Sequence, residues 1–186
     1  MFTSDLVEDA TLFAIEKHAG QARKYTHEPY VVHPIRVAAM LPPSTPTVYA
    51  GAVLHDVIED CGVTKEELEK RFGPYVASLV VELTSPSKGM KENRAVRKEI
   101  DRQFLATVSP AAKLIKVADL LDNTPSIVKY DPGFAKKYLP EKWALLKVLH
   151  PQGMGDSAMA LWTKAVGLTS ASAAKLGIEL EPPTAG

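Results

Sequence analysis

Four ionisable side chains within six residues of an otherwise apolar segment could together bind a metal ion. They are His55, Asp56, Glu59 and Asp60. On a helix, residues four apart lie on the same face, so the pairs 55/59 and 56/60 would share one surface. The apolar neighbours predict a buried helix, although a solvated face or a helix cap is the alternative. Carboxylates and imidazole crowded in a core are costly unless a cation lies among them, which favours a divalent metal.

The rest of such a site must come from elsewhere in the chain, because a hydrolytic metal site needs about three or four ligands. His33 stands beside an aliphatic helix start, and Asp119 lies in the apolar run 117–121. Each also has an ordinary structural interpretation, as a helix-start residue or a buried hydrogen-bonded carboxylate. Cys61 is a conceivable thiol ligand, but a small half-buried residue at a helix end is the favoured interpretation.

The composition of the chain excludes several classes of function. Its 186 residues carry 22 basic and 22 acidic side chains, which argues against broad binding of nucleic acid. The N-terminus does not resemble a secretory signal, and no apolar run is long enough to span a membrane. A single cysteine favours a reducing, cytoplasmic environment. The length predicts one domain over residues 1–178, and the composition of residues 179–186 predicts a tail.

Hydrophobic spacing, prolines and capping residues predict helices throughout the chain. Thr64, Ser109 and Asp131 stand at predicted helix starts. There is no useful strand-like alternation and no phosphate-binding glycine-rich loop. The expected fold is therefore an all-α bundle of eight or nine helices with short connections. The predicted helices cover residues 4–18, 34–41, 46–61, 64–72, 74–83, 94–107, 111–127, 132–148 and 159–176.

The order of these motifs resembles the HD phosphohydrolase superfamily, and in particular the hydrolase domain of RelA/SpoT proteins. The resemblance spans roughly residues 5–128, and its motifs are specific in their combination and order. The chain is too short for the synthetase and regulatory domains of the long members, so it resembles a stand-alone small alarmone hydrolase with a single-domain HD-type bundle. The matching stretches are 18–24, 29–34, 54–60, 72–73 and 116–119, with Asn123.

The resemblance implies a role for each of these residues. One divalent metal per chain, usually Mn²⁺, would be bound by four ligands. Two acidic residues would activate and orient the attacking water, and three further polar residues would contact the nucleotide. For Arg23 and Lys24, an ordinary exposed basic loop is the alternative interpretation. The implied ligands are His33, His55, Asp56 and Asp119, the acidic pair is Glu59 and Asp60, and the substrate contacts are Arg23, Lys24 and Asn123.

The chain departs from the family pattern just after Asp119. Asp122 replaces a usual histidine, and Pro125 stands where a usual arginine helps to hold substrate. Both changes make the surroundings less favourable for a polyphosphate. Pro125 should also bend or end the helix near that point and so move the wall of the nucleotide site. These departures predict weaker activity on the guanosine alarmone than on another nucleotide, with the adenosine alarmone as the leading choice.

The implied reaction is metal-dependent removal of 3′-pyrophosphate from a guanosine or adenosine alarmone. Another HD nucleotide phosphatase, such as a nucleotidase or an NADPH phosphatase, is the first alternative. The others are a non-catalytic nucleotide-binding module and a hydrolase-type antitoxin of an alarmone synthetase. The expected partner is a small nucleotide, with no nucleic acid and no membrane. A homodimer and a synthetase toxin partner remain open.

Overall fold

The computed structural model describes residues 3–181, and all regular structure within them is helical. This confirms the predicted all-α class. An isolated bridge between Ala22 and Pro29 is the strand-like pairing that the structure shows. The helices are α1 (Thr3–Lys17), α2 (Val32–Met40), α3 (Pro46–Val53), α4 (Val57–Cys61), α5 (Lys65–Phe72), α6 (Pro74–Leu83), α7 (Arg94–Thr107), α8 (Pro110–Tyr130), α9 (Pro132–Val148) and α10 (Asp156–Lys175).

Local capping chemistry fixes several of the helix starts. Thr64, Ser109 and Asp131 each accept a hydrogen bond from the backbone N–H three residues on, at 3.2, 3.3 and 3.0 Å. This is how an N-cap side chain satisfies a free N–H of the first turn. Proline occupies the first helical position of α3, α6, α8 and α9, where its missing N–H costs nothing. The predicted caps at Thr64 and Ser109 and the predicted helix start at Asp131 are confirmed.

The chain divides into two compact units between Met90 and Lys91. In the first unit, α3 packs against α1, α2 and α6. Gly51 permits the close approach of α3 to α6, because a Cβ atom there would lie 3.1 Å from Leu79 Cδ1. Phe13 and Phe72 pack edge to face in the same unit, with ring centroids 5.3 Å apart. These contacts hold α3, and the segment that follows it, on a buried scaffold.

In the second unit, α8 packs against α9 and α10, and α7 packs against α9. A cluster of Ala135, Leu139 and Ala173 is joined by Ile178 and Leu180. The Trp143 indole N–H donates to the carbonyl of Glu181 at 2.5 Å. Leu180 of the predicted tail is therefore packed against this cluster and the Glu181 carbonyl is hydrogen-bonded, while residues 182–186 lie outside the described part. One domain over residues 1–178 remains a prediction.

The predicted helix over residues 46–61 is interrupted, which corrects the sequence-based expectation. A turn at residues 54–56 separates α3 from α4. The His55 ring Nδ1 lies 2.8 Å from the carbonyl oxygen of Ala52, which a continuous helix would use for the N–H of Asp56. A side chain that takes a backbone carbonyl competes with the helix, and this contact accounts for the break. The backbone bond from the Asp60 N–H to the Asp56 carbonyl is retained at 2.8 Å.

The sequence predicted that Pro125 would bend or end the helix near that point, and an end there is wrong. Helix α8 continues for five residues beyond that proline, to Tyr130. The preceding residue, Thr124, donates its hydroxyl to the carbonyl of Leu120 at 2.7 Å. Packing of α8 against α9 and α10 supports the helix through the point where the proline removes one backbone hydrogen bond. Within residues 3–181, no helix is long and apolar enough to cross a membrane.

Candidate metal centre

A short hairpin before α2 carries the basic residues of the N-terminal motif. The Arg23 N–H donates to the Glu28 carbonyl at 2.9 Å, and the Tyr30 N–H donates to the Gln21 carbonyl at 3.0 Å. The Glu28 carboxylate accepts two hydrogen bonds from the Arg36 guanidinium of α2, at 3.0 and 2.8 Å. That interaction also lowers the pKa of Glu28. Residues 21–30, named here the basic hairpin, are thereby fastened to the helix that carries His33.

The turn between α3 and α4 determines which ring nitrogen of His55 carries the proton. A carbonyl oxygen only accepts hydrogen bonds, so the Nδ1 atom that lies 2.8 Å from the Ala52 carbonyl must carry a proton. In the neutral ring, Nε2 then presents its lone pair. His55 is 2% exposed. A backbone carbonyl that orients an imidazole in this way is the usual outer partner of a metal-binding histidine.

Asp56 lies beside His33 and His55 in the first unit. Its Oδ2 atom is 3.2 Å from His55 Nε2 and 3.7 Å from His33 Nε2. The two imidazole rings meet edge to face, with centroids 5.2 Å apart. The Tyr30 hydroxyl donates to the same Asp56 oxygen at 2.7 Å. Two imidazole nitrogens therefore converge on one carboxylate oxygen inside the unit.

This donor set fits a divalent cation. An Nε2 lone pair and a carboxylate oxygen 3.2 Å apart attract each other only through a shared cation, either a proton or a metal ion. Imidazole and carboxylate are ligands that Zn²⁺ and Mn²⁺ accept. His33 and His55 are both buried in the first unit, and each has a ring nitrogen that could bind a metal ion. The predicted metal-binding chemistry is thus present in the chain.

The predicted acidic pair, Glu59 and Asp60, lies on α4, just after the turn at residues 54–56. The Glu59 carboxylate accepts a hydrogen bond from the Ser85 N–H at 3.0 Å. Asp60 Oδ1 lies 3.6 Å from Lys88 Nζ, and both side chains are substantially exposed. The loop after α6 therefore contacts both acids. Their partners leave carboxylate lone pairs available, as general base catalysis requires.

The side chains of the predicted basic residues lie against tyrosines. Arg23 places its guanidinium carbon 5.8 Å from the centroid of the Tyr30 ring. Lys24 Nζ donates to the Tyr25 hydroxyl at 3.2 Å. Cationic groups on aromatic faces gain a modest electrostatic attraction, which orders long side chains. Both cations of the basic hairpin therefore have a tyrosine side chain as a neighbour.

Cys61 has a structural environment rather than a metal-binding one. Its Sγ atom lies 3.3 Å from His18 Nδ1, and Gln21 Nε2 is 3.8 Å away. Burial raises the pKa of the Cys61 thiol, which keeps it protonated at neutral pH. Because metals bind the thiolate, this environment disfavours Cys61 as a ligand.

The second unit holds Asp119 in a network on one face of α8. Lys116 Nζ donates to Asp119 Oδ2 at 2.7 Å, and Asn123 Nδ2 donates to Oδ1 at 2.5 Å. Asp119 is 5% exposed. Spacings of three and four residues place these side chains on the same face, as predicted for Asn123. The Lys116 contact and the hydrogen bond between Asn123 and Asp119 hold both carboxylate oxygens of the predicted ligand in place.

Lys142 is a buried cation that the sequence analysis missed. It lies on α9, is 1% exposed, and donates to Thr124 Oγ1 at 2.5 Å. Burial lowers the pKa of Lys142 from 10.5 to about 7, although the charge of Asp119 acts in the opposite direction. The sequence does contain a pattern that predicts this burial. The spacing of Leu139, Lys142 and Leu146 places the lysine on the buried face of the helix.

Replacement of Lys142 by methionine is expected to remove a pH dependence of stability. The unfolded chain binds the lysine proton below about pH 10.5 and the folded chain only below about 7. The unfolded state therefore holds more protons between these values, and the free energy of unfolding rises with pH across that window. We expect the variant to lack this rise and to be about 1–4 kcal/mol more stable near pH 7, as when buried ions are replaced by apolar groups.

Urea unfolding followed by circular dichroism at several pH values measures this effect. Lys137→Met is the matched control, because Lys137 is exposed on the same helix. The control should keep the pH dependence of the wild-type protein. A Lys142→Met variant with an unchanged slope between pH 7 and 10 would show that burial does not perturb this lysine in the folded state.

Comparison with known proteins places these features in a family. The family model described as HD domain matches residues 10–137, which carry every predicted site residue. The chain belongs to the HD domain family. This confirms the predicted superfamily. The all-α fold is that of HD-type hydrolases, and the family implies a divalent metal.

Within the HD domain family, this chain is similar to proteins named as 3′-pyrophosphohydrolases. The chain is 38% identical over 139 residues to guanosine-3′,5′-bis(diphosphate) 3′-pyrophosphohydrolase of Aquifex aeolicus, covering 73% of this chain and 20% of that protein. It is 35% identical over 147 residues to guanosine-3′,5′-bis(diphosphate) 3′-pyrophosphohydrolase MESH1 of Xenopus tropicalis, covering 75% of this chain and 80% of that one. The chain thus spans about a fifth of the Aquifex relative and most of the Xenopus one.

A solved structure supports the same fold. It is that of a metazoan orthologue of SpoT that hydrolyses ppGpp. The similarity has a TM-score of 0.76 at 28% sequence identity and covers 90% of this chain and 97% of that one. The RelA/SpoT-type resemblance inferred from the motifs is therefore confirmed.

Proposed function

We propose that this HD domain protein removes the 3′-pyrophosphate from a guanosine alarmone of the ppGpp type in a metal-dependent hydrolysis. The observation that carries the proposal is the convergence of His33, His55 and Asp56, with the His55 ring oriented by the Ala52 carbonyl. The relatives named for this reaction support the choice of substrate. A covalent intermediate is not required, because water can serve as the nucleophile.

The proposed metal ligands are His33, His55, Asp56 and Asp119, and the proposed ion is Mn²⁺. The first three are supported by their mutual distances, and Asp119 is supported by its position in the family motif and its burial. When bound, such an ion supplies Lewis acidity toward a phosphate oxygen and lowers the pKa of a coordinated water. The two carboxylates of the proposed set suit Mn²⁺, which is also the ion that the family resemblance implies.

Glu59 and Asp60 are proposed to orient the attacking water and to accept its proton. Their position on α4, directly after the turn that carries His55 and Asp56, supports this role. Arg23 and Lys24 are proposed to contact the nucleotide phosphates, for which a planar guanidinium and an ammonium are both suited. Asn123 is proposed to contact the sugar or its phosphate, and its hydrogen bond to Asp119 sets the position of its amide.

The structure changes the basis of the base preference that the sequence predicted. The expected displacement of the site wall depended on a bend or an end of the helix at Pro125, and an end is excluded because α8 continues to Tyr130. The loss of the family arginine remains, but it weakens phosphate binding for either base. The guanosine compound named for the relatives is therefore our proposed substrate in place of the adenosine one.

Steady-state kinetics with both alarmones tests this choice. We expect kcat/KM for the guanosine 3′-pyrophosphate compound to equal or exceed that for the adenosine compound in the presence of Mn²⁺. A matched nucleotide without the 3′-pyrophosphate serves as the control and should not be hydrolysed. A clear preference for the adenosine compound would restore the original expectation and leave the hydrolase assignment standing.

The alternatives are separated by the product released. A 3′-pyrophosphohydrolase releases pyrophosphate, whereas a nucleotidase or an NADPH phosphatase releases orthophosphate. A Mn²⁺-supplemented screen across both alarmones, NADPH and simple nucleotides, with both products measured, decides between them. A hydrolase-type antitoxin would perform the same chemistry, so a synthetase partner or a homodimer is a separate question. A cytoplasmic location would fit a nucleotide substrate of this kind.

A further inference from the structure

Tyr30 lies at the centre of the aromatic and charged contacts of the first unit. Its ring stacks on the buried His18 ring, with centroids 4.8 Å apart and planes at 27°. The Arg23 guanidinium carbon is 5.8 Å from the ring centroid, and the His33 ring meets it edge to face at 5.8 Å. The tyrosine is therefore packed against a proposed metal ligand and against a proposed substrate contact.

The hydroxyl of Tyr30 has a definite direction. It donates to Asp56 Oδ2 at 2.7 Å, because a carboxylate only accepts. The same oxygen lies 3.2 Å from His55 Nε2. One phenol thus fixes the orientation of the carboxylate that faces the two histidines.

His18 holds the ring that carries this hydroxyl. Its Nδ1 atom lies 2.8 Å from Gln21 Oε1, and Gln21 Nε2 donates to the Asp60 carbonyl at 3.2 Å. These bonds join the start of the basic hairpin to the end of α4. The ring of Tyr30 consequently has little freedom to move away from Asp56.

We infer that Tyr30 is a positioning residue that holds Asp56 for the metal and links that carboxylate to Arg23 of the basic hairpin. The inference rests on the proposed function for the assignment of Asp56 as a ligand. Outer partners that orient a ligand typically contribute 10- to 100-fold to metal affinity. Tyr30 contributes through two separable groups, the hydroxyl toward Asp56 and the ring toward Arg23.

Titration of the metal-free protein with Mn²⁺ by calorimetry tests the role of the hydroxyl. Tyr30→Phe keeps the ring contacts and removes the donor, so we expect the Mn²⁺ Kd to rise about 10- to 100-fold. The melting temperature of the metal-free variant should stay close to that of the wild type, and saturating Mn²⁺ should restore kcat. Tyr75→Phe is the matched control, because Tyr75 is 51% exposed on α6 of the same unit.

A second variant distinguishes the contribution of the Tyr30 ring from that of its hydroxyl. Tyr30→Leu also removes the aromatic face beside Arg23, so the KM for the nucleotide should rise above that of Tyr30→Phe at saturating Mn²⁺. Equal KM values in the two variants would overturn the link to Arg23. An unchanged Mn²⁺ Kd in Tyr30→Phe would overturn the positioning role alone. Failure of the wild-type protein to bind Mn²⁺ would overturn the proposed metal site and this inference with it.

Discussion

Replacement of Asp56 by alanine is expected to abolish both the bound metal and hydrolysis. Asp56 Oδ2 lies 3.2 Å from His55 Nε2 and 3.7 Å from His33 Nε2, so the carboxylate is the anionic partner of both imidazoles. Without it, the proposed ligand set would lose one of its two carboxylates and the negative charge that faces both imidazoles. We expect less than about 1% of wild-type activity, since a ligand is lost from a minimal set.

Metal analysis by mass spectrometry after dialysis, together with product formation, measures both effects. Asp156→Ala is the matched control, because Asp156 is an exposed aspartate in the first turn of α10. The control should keep full metal content and turnover. An Asp56→Ala protein that retains its metal and its activity would contradict the proposed site directly.

Replacement of Glu59 or Asp60 by its neutral amide is expected to lower the rate of the chemical step without loss of the bound metal. General base catalysis contributes roughly 10²- to 10⁴-fold, so Glu59→Gln or Asp60→Asn should lower kcat in that range for at least one of the two. The glutamine oxygen can still accept from the Ser85 N–H, as Glu59 does at 3.0 Å. The substitution therefore removes charge and basicity while it preserves the local hydrogen bond.

The metal content of both variants should remain near one ion per chain. Glu8→Gln on α1 and Asp156→Asn on α10 are suitable controls, since both residues are exposed and neither belongs to the proposed site. Single-turnover kinetics at saturating Mn²⁺ reports the chemical step. Loss of metal together with activity would identify Glu59 or Asp60 as a ligand and would contradict the proposed division of roles.

The features that depend on neighbouring residues were predicted well from the sequence. Caps at Thr64, Ser109 and Asp131 were correct because an N-cap side chain bonds to a backbone N–H only three residues away. The i, i+4 pair of Asp119 and Asn123 was correct for the same reason, since helix periodicity alone brings the side chains together. The motif order was sufficient to indicate the HD family, which the family comparison confirmed.

The interrupted segment before α4 was not predictable from periodicity. An apolar run with helical spacing favours a continuous helix, and nothing in the spacing shows that the His55 ring would take the Ala52 carbonyl. At Pro125 the predicted bend or end of the helix was wrong as to an end, because packing in the second unit offsets the local preference against helix. Propensity is a weak guide where tertiary contacts act against it.

Residue identities and short spacings were sufficient to predict the helical fold class and the family, and they supply the chemical types of the proposed metal, acidic and basic residues. Three further features came from the tertiary structure: which ring nitrogen of His55 carries the proton, what orients Asp56, and the burial of Lys142. Tyr30 and Asp56 are 26 residues apart, and Lys142 and Thr124 are 18 apart. Contacts over such separations arise from the packing of whole helices, which no local pattern specifies.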